Sequence, residues 1–202
     1  MTSKRRNIAV MASGAGTTFD NLARLSNKGI VDFGITALLT NHSQAECVNV
    51  AIKHEIQTII TTADNVWSLI PENTDLLILA GWVKLLTVPF IWEERVLNIH
   101  PSLLPKYGGK GFYGIKVHEA VIEAKESESG CTVHIVDNSY DTGRILEQST
   151  ILVKEFDTPK TLQQKVKNAE QGLYPKVIDS YLRDFCEDWH KDPQIKEWLE
   201  KL

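Results

Sequence analysis

Two residues of this 202-residue chain stand out for their chemistry. In Leu97-Asn98-Ile99-His100-Pro101-Ser102, Asn98 and His100 stand two apart, so on a β-strand both project from one face. Asn offers a neutral amide donor, and His offers a donor that can also move a proton. Together they can hold the oxygen of a carbonyl under attack by an amine. No Gly-x-Ser-x-Gly elbow surrounds Ser102 and no cysteine is near, which disfavours a covalent acyl-enzyme. The plain alternative is an Asn and a His satisfied by backbone bonds in a turn.

A second candidate is Ser13-Gly14-Ala15-Gly16-Thr17-Thr18. A glycine turn between strand and helix exposes backbone N–H groups at the helix N-terminus. Orphan donors and the helix dipole both favour a phosphate there. Phe19 fills the third glycine position of a dinucleotide fingerprint, and no Gly-Lys-Ser/Thr follows, so neither that motif nor a P-loop is present. A tight turn without a ligand is the competing explanation.

His134 lies in an apolar run, where a hydrogen-bonded core histidine is the expected state. Asp141, ahead of Thr142-Gly143, suits either a turn cap or a carboxylate that orients His100 and keeps it charged, and spacing leaves both open. His118 and Glu119, with His42 and His54 elsewhere, do not form metal-ligand spacing, and no metal is expected. Trp82 and Leu85-Leu86, with Lys84 between, suit core packing first and an apolar slot for a flat ring second.

These residues need a scaffold that brings distant segments together. Asn7 to Ala12, Gly34 to Thr40, Gln57 to Thr61, Asp75 to Ala80 and Val96 to Ile99 have the pattern of short strands. Phe19, Leu22, Ala23 and Leu25 fall at helical spacing, and Ala45 to His54 is a second helix. The continuous apolar run in 75–80 marks a strand buried on both faces. After a loop at 106–111 come a helix from Val117 to Lys125 and strands at Cys131 to Val136 and Ile145 to Val153. A helix opens at Asp157-Thr158-Pro159 and runs towards Leu182. The tail with Trp189, Pro193 and Trp198 suits a short amphipathic helix. The pattern predicts an α/β fold: a mostly parallel twisted sheet with helices on both faces, forming one domain over 1–202. Such sheets bind ligands at the carboxyl ends of their strands.

Composition narrows the function classes. Apolar residues make up 43% and charged residues 24%, as in an ordinary globular chain rather than a disordered or membrane protein. The net charge of −4 gives no electrostatic case for nucleic acid. Neither nucleic acid nor membrane is expected as a partner. Cys47, Cys131 and Cys186 lie far apart, which argues against a disulfide framework. A reducing, cytoplasmic location is expected.

Several strings, in order along the chain, resemble the folate-dependent formyltransferase family. They are SGAGTTF, LAGWVKLL, LNIHPSLLPKYGGKGFYG, VHEAVI, CTVHIVDNSYDTGRIL and AEQGLYPKVI. They are most similar to its glycinamide ribonucleotide branch, from about Asn7 to Ile178. The resemblance implies the Rossmann-like formyltransferase fold, with phosphate and substrate binding in the N-terminal half and folate binding in the C-terminal half. The implied reaction moves a formyl group from 10-formyltetrahydrofolate to the amine of glycinamide ribonucleotide in purine biosynthesis. By the same resemblance Asn98, His100 and Asp141 match catalytic residues, and Gly16, Thr17 and Thr18 match the substrate phosphate loop. Glu170 matches a carboxylate on the substrate amine. Val83, Lys84, Leu85 and Leu86, with Asp137, Asn138, Ser139, Tyr140 and Asp141, match the folate walls, which Asn98 also faces. His134 and His118 match supporting positions. Thr18 stands where the family commonly has Asn, Lys84 where it commonly has Arg, and the 61–74 segment is short. The 184–202 tail matches nothing in the family. The acceptor alternatives are another amine, such as a nucleotide-linked amino sugar, or no reaction at all in a folate- or nucleotide-binding protein. A monomer or homodimer is expected.

Overall fold

The apolar runs become strands of one sheet in the computed structural model, which describes residues 5–188, with side chains as far as residue 184. The strands are β1 (Arg6–Met11), β2 (Phe33–Thr40), β3 (Thr58–Ile60), β4 (Leu76–Leu79), β5 (Val96–His100), β6 (Glu128–Ile135) and β7 (Ile145–Leu152). Their spatial order is β3-β2-β1-β4-β5-β6-β7. The first five pair in parallel, while β5–β6 and β6–β7 are antiparallel. The chain moves outward from β1 through β2 to β3, then returns to place β4 on the other side of β1. That reversal opens a crevice at the carboxyl ends of β1 and β4.

Among the described residues four α-helices complete the order: α1 (Thr17–Asn27), α2 (Glu46–Lys53), α3 (Ile115–Glu123) and α4 (Pro159–Asp188). The sheet is mostly parallel as expected, but the helices expected on both faces are not found there: among the described residues all four α-helices pack on one face. Phe19, Leu22, Cys47, Val121, Leu162, Val166 and Tyr174 from the four α-helices pack with Ile8, Val10, Leu38, Ile78 and Leu97 in one cluster. The opposite face, with Ala9, Met11, Leu39, Leu77 and Leu79, is covered by Val66, Trp82, Leu86 and Trp92. There the short 61–74 segment supplies only a 3-10 turn at Val66–Ser68, and a second such turn spans Phe90–Trp92.

The boundaries depart from expectation where pairing overrides propensity. β6 starts three residues before Cys131 because Glu128, Ser129 and Gly130 pair with Leu152, Ile151 and Thr150. A side chain at Gly130 would overlap the Ser149 carbonyl, so a residue poor for strands is required by the close approach. The last helix passes Leu182 and reaches Asp188. The tail helix expected around Trp189, Pro193 and Trp198 lies outside the described residues.

α4 continues through Pro175, which would normally break a helix. Proline has no N–H to offer the carbonyl four residues earlier, that of Gln171. Asn21 of α1, 6% exposed, supplies the missing donor through Nδ2 at 2.9 Å. The orphan is satisfied from the neighbouring helix, and this ties α1 to α4. Asn21→Ala should therefore cost about 1–3 kcal/mol of stability, the usual penalty for leaving a buried carbonyl unpaired. Combining it with Pro175→Ala, which restores a backbone donor, should recover part of that loss. Urea denaturation of the four variants in a double-mutant cycle checks this, and strict additivity would refute it.

Candidate active site

The site starts from the β5–β6 ladder. Asn98 stands directly opposite His134, and His100 opposite Thr132. Leu97 and Ile99 enter the helix-covered core, so strand alternation turns Asn98 and His100 to the other face. Cross-strand pairing brings Asn98 Nδ2 to 3.0 Å from His134 Nε2. His134 Nδ1 lies 2.8 Å from the Ile135 carbonyl, which can only accept, so Nδ1 carries the proton and Nε2 is the acceptor for Asn98. The core histidine expected from its apolar run is thus hydrogen-bonded on both sides.

Asp141 arrives from the turn between β6 and β7 and closes the cluster. Its Oδ2 lies 3.4 Å from His100 Nδ1, and its Oδ1 lies 3.6 Å from His134 Nε2 and 3.5 Å from Asn98 Nδ2. Its Oδ2 also accepts the Gly109 N–H at 2.9 Å. Burial pushes the Asp141 carboxyl up, but His134, the charge His100 acquires at acid pH and the Gly109 N–H together hold it below the usual aspartate value. At neutral pH it is a carboxylate. Its φ of +57° lies in the left-handed region, which Asp tolerates better than most residues.

His100 is 4% exposed, and its Nε2–H donates to the Tyr107 carbonyl at 2.8 Å. Its one free ring nitrogen, Nδ1, therefore faces Asp141. Desolvation lowers the His100 pKa more than Asp141 and the Tyr107 carbonyl raise it. The expectation that Asp141 keeps His100 as an imidazolium is corrected on this point. In the ligand-free site burial wins, and His100 is a neutral acceptor at pH 7.

These groups line a cavity of about 650 Å³ at the carboxyl edge of the sheet. Residues 14–18 form its wall at the end of β1, and 81–86 form its wall at the end of β4. Gly16, the residue ahead of α1, has φ of +71°. A side chain there would place Cβ 2.7 Å from Cys47 Cβ, so both conformation and space require glycine. The loop is tied to α2 by the Cys47 N–H, which donates to Gly14 O at 3.0 Å.

The remaining candidates divide. Thr17, Thr18, Val83, Lys84, Leu85, Leu86, Ser139, Tyr140, His118 and Glu170 all reach the cavity wall. Val83 and Leu85 are 43% and 39% exposed, whereas Trp82 and Leu86 also pack in the core. Asp137 and Asn138 are not among its lining residues. Asp137 accepts from Ser139 N and Thr142 Oγ1, and Asn138 Oδ1 accepts the Val88 N–H at 2.7 Å. They staple the turn that carries Asp141, because short polar side chains in a turn bond nearby backbone first. Glu170 is buried on α4 instead of facing solvent, and burial raises its pKa to about 7 against the opposing charge of Lys167. His118 is neutral, with burial pulling its pKa down to about 4. The sequence reading missed Lys167 and the wall at 109–114, where Gly109, Gly111 and Gly114 all have positive φ. The glycine spacing in that segment was the available signal.

The formyl transferase family matches residues 6–178. A chloroplastic phosphoribosylglycinamide formyltransferase of Vigna unguiculata is 38% identical over 95% of this chain, and the chain spans 65% of that relative's length. The Arabidopsis thaliana protein of the same name is 36% identical over 94% of this chain and 69% of its own. Among solved structures, the phosphoribosylglycinamide formyltransferase of Anaplasma phagocytophilum superposes with a TM-score of 0.80 at 28% identity, covering 90% of this chain and 89% of its own. That of Brucella melitensis gives 0.78 at 31% identity, covering 88% and 96%. With the family match running over residues 6–178, most of its length, this chain belongs to the formyl transferase family.

Proposed function

We propose that this chain is a phosphoribosylglycinamide formyltransferase, moving a formyl group from 10-formyltetrahydrofolate to the amine of glycinamide ribonucleotide in purine biosynthesis. The observation that carries this reading is the meeting of Asn98, His100 and Asp141, from distant segments, in a cavity that also includes the glycine loop before α1. The similarity to relatives bearing that name supports it. The whole chain acts as one domain, as monomer or homodimer, in a reducing compartment of cytoplasmic type. The free, buried thiols of Cys47 and Cys131 support the last point.

The chemistry follows from the geometry. The amine attacks the formyl carbon, forming a C–N bond and placing negative charge on the formyl oxygen. Asn98 commits one amide N–H to His134, and the other, in a long 3.5 Å hydrogen bond to Asp141, can turn to donate to that oxygen. The nitrogen that attacked must shed a proton. His100 Nδ1 and Asp141 Oδ2 form an acceptor pair for it, directly or through water. As the bond from carbon to the folate N10 breaks, the proton passes to N10 and balances the transfer. Gly16, Thr17 and Thr18 hold the substrate phosphate with loop N–H and hydroxyl groups. Val83, Leu85, Tyr140 and Lys84 bound the folate side, and Glu170 holds the amine. Asp137 and Asn138 shape that side by supporting the turn.

Incubation with 10-formyltetrahydrofolate and a panel of amines tests the reading. Glycinamide ribonucleotide should be formylated, and formylation of a nucleotide-linked amino sugar in its place would overturn it. Asn98→Ala should lower kcat by about a hundred- to a thousandfold with far smaller changes in KM. Asp141→Asn should also lower kcat. Removing its charge lowers the His100 pKa further, so the acidic limb of the pH profile should move to lower pH. Gly16→Val should raise KM for the phosphorylated amine much more than for the folate, and an equal rise for both would argue against a phosphate loop.

Glu170 makes a prediction that needs no substrate. Its pKa is raised from 4.5 unfolded to about 7 folded, so the native state binds the extra proton between those values. Stability from this group is full below about pH 4.5 and is lost as pH rises through about 7, by about 3 kcal/mol. The ligand-free Glu170→Gln variant escapes that loss. Its Tm relative to wild type should climb by several degrees between pH 4.5 and 7 and then level off, as thermal scans across pH would show.

A further inference from the structure

Behind the cavity, a polar network links the edge strand to the loop that contacts His100. Gln148 sits on β7, the outermost strand, in an exposed position. Its Nε2 donates to the Leu104 carbonyl at 3.0 Å and to Thr132 Oγ1 at 2.8 Å. Thr132 is fully buried; its hydroxyl donates to the Ser102 carbonyl at 2.7 Å and accepts the Leu104 N–H at 3.0 Å. With one donor and two acceptor sites in use, that hydroxyl is saturated. Ser102 Oγ in turn donates to the Lys106 carbonyl at 2.6 Å. The backbone is thus gripped at residues 102, 104 and 106, and the next carbonyl, that of Tyr107, is the one that holds His100 Nε2.

Tyr107 has φ of +55°, a conformation that a residue with a Cβ keeps only where its surroundings over-determine it. The Gln148 amide holds that loop directly at the Leu104 carbonyl and indirectly through Thr132. Nothing else about the position calls for glutamine. The side chain belongs to an exposed edge strand, and its amide donates one N–H to the loop at Leu104 and the other to Thr132 of β6, whose hydroxyl in turn holds the loop at Ser102 and Leu104.

We propose that Gln148 is a positioning residue for His100. Its amide locks residues 101–107 so that the Tyr107 carbonyl keeps the proton on Nε2 and leaves Nδ1 open towards Asp141. This deepens the formyl-transfer reading and rests on it for its catalytic consequence. Its structural consequence is independent of substrate.

The test uses the full chain, ¹⁵N-labelled at histidine and free of ligand. Ring nitrogen shifts of wild-type His100 should report the Nε2–H tautomer. Gln148→Met keeps the length and removes both donors, and Gln148→Glu keeps the shape but cannot donate as a carboxylate. Both should show mixed tautomers at His100. Their kcat for formyl transfer should fall by about ten- to a hundredfold, the scale of a small misplacement of a catalytic group, with both KM values within about twofold. Gln148→Lys, which restores a donor of similar reach, should recover part of the wild-type tautomer signature and of kcat. Should the Met variant fail to fold, the Glu and Lys variants carry the comparison. Wild-type tautomer shifts in a folded Met or Glu variant overturn the proposal, as does a fall in kcat matched by an equal rise in KM. If wild type transfers no formyl group, the formyl-transfer reading fails, and the tautomer shifts still decide the role of Gln148.

Discussion

A carboxylate taken out of water needs donors around it, and Asp141 imposes that need on this fold. Its side chain is 11% exposed, and the groups that surround it come from separate segments. β5 supplies the Asn98 amide and the loop after β5 supplies the Gly109 N–H, while His100 on β5 and His134 on β6 bring ring nitrogens to 3.4 and 3.6 Å. Leaving such a charge unpaired would cost several kcal/mol, so these segments cannot move independently. The turn at 137–143 must present Asp141 in a left-handed conformation, and the Asp137 and Asn138 bonds hold it there. Gly143 fits the same demand, since a side chain there would overlap the Ile135 carbonyl. One buried charge thereby sets the relation between two strands and two loops.

The phosphate-type loop depends on a different constraint, that of space. Gly16 approaches Cys47 so closely that the start of α2 forms the floor of the loop. α1, which begins at that loop, is braced against α4 by the Asn21 bond to the carbonyl freed by Pro175. α4 carries Glu170 to the cavity wall and Tyr174 beneath it. There the Tyr174 hydroxyl lies 3.1 Å from the Leu79 carbonyl and 2.9 Å from the Leu97 carbonyl. The helix that bears the buried carboxylate is therefore anchored to β4, which leads to the 81–86 wall, and to β5, which carries Asn98 and His100.

What the sequence revealed follows from the range of the interactions involved. Strand alternation is local, so Asn98 and His100 on one face were legible, as was a glycine turn opening α1. The start of β6 was not, because Ser129 and Gly130 have no strand preference and join the ladder only through β7. The Asn98–His134 pair needed the antiparallel register, which no spacing within either strand encodes. The charge state of His100 turned on burial, a property of the whole packed site, and so reversed an expectation drawn from one neighbouring carboxylate. Asp137 and Asn138 match family folate positions by resemblance, yet their side chains serve the turn. Glu170 shows the opposite outcome. Nothing in its local sequence marks it as buried, and the resemblance alone pointed to a role at the cavity.

The charge arrangement fits one site to both partners of the proposed amine-to-formyl reaction. With His100 neutral and Asp141 ionised, the resting cluster carries one negative charge and a ring nitrogen able to accept a proton. An imidazolium fixed in advance would repel a cationic amine and would have no room for its proton. A neutral His100 beside a carboxylate attracts the amine and takes up charge when the nitrogen becomes cationic on attack. The tautomer decides whether this works. If the proton sat on Nδ1, His100 would present a donor to Asp141 and turn its acceptor towards the Tyr107 carbonyl, where two lone pairs would meet. The Tyr107 carbonyl prevents that arrangement. A backbone oxygen held in a strained loop thus governs which face of His100 is basic, and proton transfer inherits its direction from the packing of residues that never touch the substrate.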